Sequence, residues 1–117
     1  MPKSVRVGAF HIKIEKLDHE HANARGSWGS FSLGELTIRI DDGSPTTQKA
    51  VDTLLHEIGH AIYWAYGLED EDKEERLVTI QAKAWVQIFR DNRWLLQWIE
   101  TNLHGKVVSV PKKKIKK

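Results

Sequence analysis

Between Ser44 and Gly67 the chain carries one long amphipathic segment, and any fold it adopts has to be built around that segment. Val51, Leu54, Leu55, Ile58, Ala61, Ile62 and Ala65 recur at three- and four-residue intervals, which lines up one face of an α-helix. Ser44-Pro45 provides a capping hydroxyl followed by proline at the first helical position, and Gly67 provides a stop. A helix reaching to about Tyr66 is expected. Its apolar face needs a surface to lie on.

The segments before it alternate with a period of two. Over residues 5–17, Phe10, Ile12 and Ile14 fall on one side and His11, Lys13 and Glu15 on the other, which reads as one half-buried strand. Residues 18–34 are rich in Asn, Ser and Gly, with Gly26, Gly29 and Gly34 marking loops or a hairpin. Leu36–Ile40 alternates again and ends at Asp41-Asp42-Gly43. Beyond the long helix, the acidic run from Glu69 to Glu75 suits a loop entering a helix N-terminus. A second helix is expected from about Asp72 to Arg90, with Val78, Ala82, Trp85 and Phe89 as its packed stripe. A third runs from Arg93 to Leu103 and stops at Gly105. Strands followed by helices predict an α+β fold, with a small N-terminal antiparallel sheet packed on a helical core.

A length of 117 residues suits one domain, expected over residues 1–110. With 40% hydrophobic and 29% charged residues, the composition is that of a soluble globular chain. There is no cysteine, so disulfide scaffolds, Cys-ligated zinc modules, iron–sulfur clusters and thiol catalysis are excluded. No apolar run approaches the roughly 18 residues of a membrane span, and the first residues do not form a secretory signal. A cytoplasmic protein without membrane contact is expected. Residues 111–117 read as a basic, disordered tail, and Lys112–Lys117 is a weak candidate for nucleic-acid contact. Without this tail the body is mildly acidic.

Within the long helix stands His56-Glu57-Ile58-Gly59-His60. Residues four apart lie one turn apart on the same helical face, so both imidazoles can bind one ion, and Glu57 can reach a water beside it. A catalytic zinc takes three protein ligands and keeps one position open. Glu75, at the head of the Val78/Ala82/Trp85/Phe89 stripe, is the expected third ligand. Glu74, on the neighbouring stripe with Leu77 and Ile88, is the alternative, and His19, His21 and His104 are the other side chains of suitable type. Two imidazoles and a carboxylate suit Zn2+. Glu57 is then the general base for amide hydrolysis. Asp52, one turn before His56, is a candidate partner for its second ring nitrogen, and Tyr63 a candidate oxyanion donor. Leu36–Ile40 is read as an edge strand able to bind an extended peptide.

The stretch Thr53-Leu54-Leu55-His56-Glu57-Ile58-Gly59-His60-Ala61-Ile62, with Glu74-Glu75-Arg76-Leu77-Val78-Thr79 downstream, resembles zincin metallopeptidases of the gluzincin type. It is similar to small phage and prophage proteins of that kind and to the ImmA/IrrE group of repressor-cleaving peptidases. The resemblance covers about residues 36–90 and implies a zincin-like domain, a zinc cofactor and a protein or peptide substrate. The chain lacks the cysteines from which SprT-like peptidases build a zinc ribbon.

Two functions follow as expectations. One is a minimal zinc-dependent peptidase with His56, His60 and Glu75 on the metal and Glu57 as base. The other is a zincin-like binding or regulatory module that keeps a structural metal and uses its basic tail to contact nucleic acid or a protein.

Overall fold

A computed structural model describes residues 4–17, 29–41 and 47–104. Among these residues four strands come first: β1 (Ser4–Val7), β2 (Phe10–Lys16), β3 (Gly29–Ser32) and β4 (Thr37–Ile40). Three helices follow: α1 (Thr47–Ala65), α2 (Glu74–Asp91) and α3 (Arg93–Leu103). The fold is α+β. The Ser44-Pro45 cap, His19, His21 and Lys112–Lys117 lie outside the described residues.

The single strand expected over residues 5–17 is a hairpin. Gly8 adopts φ +61, a left-handed conformation that costs glycine little, and the turn at Gly8 and Ala9 folds β1 back onto β2 with Val5 opposite Ile12. Alternation continues through the turn, which is why the two strands read as one.

The strand order is β1-β2-β4-β3. β1 pairs antiparallel with β2 and β3 antiparallel with β4, whereas β2 and β4 run parallel with Ile14 opposite Ile38. The sheet is therefore mixed and not wholly antiparallel. The chain leaves β2, forms β3 first, and returns through the turn at Leu33–Leu36 to place β4 between them. Leu36–Ile40 is consequently interior, and β3 is the edge strand on that side.

Val5, Val7, Ile12, Ile14, Ile38 and Ile40 face one layer and join Leu54, Ile58, Ala61 and Ile62 of α1 in a continuous core. This is where most of the stabilising apolar burial resides. α2 adds Ala84 and Ile88, and α3 adds Leu95. α2 packs against β1, and α3 packs on α1 and α2. Among the described residues no helix is long and apolar enough to cross a membrane.

The buried stripe of α2 differs from the expected one. Ala84 and Ile88 are fully buried with Leu77 beside them, whereas Val78 and Ala82 are exposed. The helix is turned by about one residue, or about 100°, relative to the sequence expectation. Leu77, Ala84 and Ile88 and the Val78–Phe89 series are both apolar at helical spacing, and contact with β1 selects the former.

Candidate metal centre

α1 lies with its apolar face on the sheet, and that orientation decides where the motif side chains go. Ile58, Ala61 and Ile62 point into the core, so His56 and His60 emerge together on the exposed side. Their Nε2 atoms are 3.2 Å apart and their rings meet at 81°. A tetrahedral zinc with Zn–N bonds of about 2.0–2.1 Å holds two nitrogens about 3.3 Å apart. The two imidazoles therefore stand at the separation that one ion requires.

Glu57 turns the other way. It is 7% exposed, and burial pushes its carboxyl above the usual carboxylate range, an effect that His56 and His60 partly offset. It shares an open cleft of about 610 Å³ with His60, Tyr63, Trp64 and the edge strand residues Gly29 to Phe31. Phe10 and Phe31 pack around Trp64 with centroid separations of 4.4 and 6.4 Å, which gives this cleft an aromatic wall. Gly29 packs closely against α1. A Cβ built on it would lie 2.5 Å from Thr53 Cγ2 and 3.4 Å from Glu57 Cγ. Only a residue without a side chain lets β3 sit this tightly over the motif.

On its other side the histidine pair faces a second cavity of about 400 Å³, lined also by Tyr63, Asp70, Gln81 and Trp85. Asp70 shares this space with both imidazoles. Glu75 does not: it is exposed at the start of α2, and at 100° per residue it lies on the outward side with Val86. By the same count Glu74 falls between Gln81 and Trp85 around the axis, the sector that faces the cavity. Among the described residues, no group of three or more His, Cys, Asp or Glu side chains is close enough together to hold a metal ion. The two imidazoles fit zinc, and the third donor is not assembled with them.

The remaining candidates separate cleanly. Asp52 is exposed and paired with Lys49 at 3.4 Å, so it is a surface residue of α1. Tyr63 is half-buried and lines both cavities beside His60. His104 is exposed at the end of α3. The sequence reading missed Asp70, Gln81 and the β3 edge. Asp70 lies within the acidic run that reads only as a loop entering a helix, and nothing local marks Gly29–Ser32 as the strand over the site.

No protein-family model, curated protein or solved structure matches the chain.

Proposed function

We propose that the protein is a zinc-dependent peptidase in which His56 and His60 bind the metal and Glu57 is the general base. The observation that carries this reading is the 3.2 Å Nε2–Nε2 separation on the open face of α1, next to a buried carboxyl on the same helix turn. A structural metal site has no use for that carboxyl. His56 and His60 would hold the zinc, which would supply a Lewis acid for a peptide carbonyl and lower the pKa of water toward about 7.

The chain supplies the rest. Glu57 accepts a proton from the attacking water and delivers it to the leaving amine nitrogen, so the peptide bond breaks with no net proton change at the enzyme. Desolvation makes its carboxylate a stronger base than a solvated one. β3, the edge strand of the sheet among the described residues, borders the 610 Å³ cleft, along which an extended peptide would lie beside it. Tyr63, beside His60, is placed to donate its hydroxyl to a developing oxyanion.

The third donor comes from the stretch between Asp70 and Glu75. Glu75 is the residue that the motif spacing suggests, the phase of α2 favours Glu74, and the cavity lining favours Asp70. Elemental analysis decides among them. The wild-type chain is expected to carry about one zinc, lost in His56→Ala and in one of Asp70→Ala, Glu74→Ala or Glu75→Ala. Glu57→Gln is expected to keep the metal and lose hydrolysis of unfolded protein; full activity in that variant would sink the mechanism.

One observation supports a second reading: with no group of three donors assembled among the described residues, the site also suits a binding module with a weakly held metal. Metal binding without turnover, together with salt-sensitive nucleic-acid affinity lost on removing Lys112–Lys117, would select that reading.

A further inference from the structure

The outward face of α2 is apolar where a solvated helix would be polar. Val78 is 58% exposed and Val86 66% exposed, and Ala82 is exposed midway between them. Trp85 and Phe89, stacked with centroids 5.5 Å apart, flank this stripe and are only half-buried. Exposed apolar residues clustered on one helix face mark an association surface.

Two properties of this face identify its partner. The first is its symmetry. Val78 and Val86 lie one turn to either side of Ala82, so the stripe read from either end presents a branched side chain, a small one, then a branched one. A small central residue lets two helix axes approach to about 8–10 Å. The second is charge. At the N-terminal end of α2, Glu69, Asp70, Glu71, Asp72, Glu74 and Glu75 outnumber Lys73 and Arg76, whereas past the centre Lys83, Arg90 and Arg93 outnumber Asp91. In an antiparallel pair, the acidic end of one helix meets the basic end of the other. A parallel pair would set like charges together.

We infer that α2 is the dimerisation helix, and that its outward face takes the same face of a second copy in antiparallel, two-fold packing centred on Ala82. Such an isologous contact satisfies both copies at once. Glu75, turned away from the histidine cavity, then faces the partner's C-terminal end, where Arg90 is held by its own Asp91 at 2.9 Å and still has solvent-facing donors. This inference does not depend on hydrolysis, but it requires the third metal donor to be Asp70 or Glu74 and not Glu75.

The test is sedimentation of the full chain at about 100 μM, where a concentration-dependent dimer is populated. Wild type is expected at twice the monomer mass. Val86→Glu and Glu75→Lys are each expected to weaken the dimer by about tenfold or more, equivalent to about 1.4 kcal/mol. The Glu75→Lys/Arg90→Glu double variant is expected to regain most of the loss, because the charges are exchanged and their pairing is kept. Circular dichroism of each variant checks the fold, which these exposed positions should leave intact. A monomeric wild type overturns the inference, as does a dimer indifferent to all three variants or a double variant weaker than both singles.

Discussion

Gly29 is where a single missing side chain matters most. Its would-be Cβ meets Thr53 Cγ2 at 2.5 Å, with Arg39 O at 3.2 Å on the opposite strand, so alanine forces β3 away from α1. Gly29→Ala is expected to cost about 1–3 kcal/mol, the range for overpacking a close contact. Thr53→Ser removes the methyl in question, so the double variant should recover part of that loss in the urea midpoint, and additive losses would count against a direct clash. The motif residues were legible because both histidines and the carboxylate belong to one helix turn, where spacing alone sets the geometry. Gly29 was legible only as loop punctuation. Its requirement comes from a helix more than twenty positions away in the chain, and no local pattern carries that information.

At the scale of elements, the side chains that tie α2 to the sheet are amides. Asn92 accepts from Arg6 N–H at 2.8 Å and donates to Arg6 O at 2.9 Å and to Ile88 O at 2.7 Å. Gln87 accepts from Gly8 N–H at 2.7 Å and donates to Arg6 O at 3.1 Å. Together they cover the exposed edge of β1, which would otherwise offer open backbone groups to another strand. Asn92→Ala leaves the part-buried Arg6 N–H unpaired, while Arg6 O keeps its Gln87 donor, and is expected to destabilise by about 1–3 kcal/mol, with faster amide exchange at Arg6 as the local signature. Asp91, beside Asn92, is held down to about 2 by hydrogen bonds from Arg90 and then Gln87. A carboxyl lowered from 3.8 in this way adds stability that is present above its unfolded pKa and lost as pH falls toward 2. Asp91→Asn should flatten the acid limb of a thermal-stability profile below about pH 4 and leave the slope near neutral pH unchanged. The existence of α1 and α3, and the end of α1 before Gly67, were readable from periodicity and punctuation. The rotation of α2 was not, since its sequence carries two apolar faces and only contact with β1 decides which is buried. Parallel pairing of β2 and β4 likewise depends on where β3 goes, and β3, a short Gly-Ser-rich edge strand, has almost no sequence signal of its own.

Across the whole molecule, α1 is anchored to the sheet and α3, whereas α1 and α2 meet around the 400 Å³ cavity with few close backbone approaches. The histidines sit on the α1 side of that gap, and the candidate third donors, Asp70 and Glu74, on the loop and helix that form the other. A metal held from both sides would therefore clamp two parts of the fold that otherwise pack loosely. A ligand binding only the folded state stabilises it by about 2.7 kcal/mol at a hundredfold excess over its Kd. Zinc at that excess is expected to raise the unfolding free energy of wild type by this amount and to leave His56→Ala unchanged. Hydrogen exchange then shows where the stabilisation acts. Slowed exchange from Leu68 through Gln81 is expected if a carboxylate from the far side joins the histidines. If zinc raises stability while that segment exchanges as before, the ion rests on α1 alone. The site would then be two-coordinate from the protein, which suits a metal acquired from or shared with a partner and not a resident catalytic zinc.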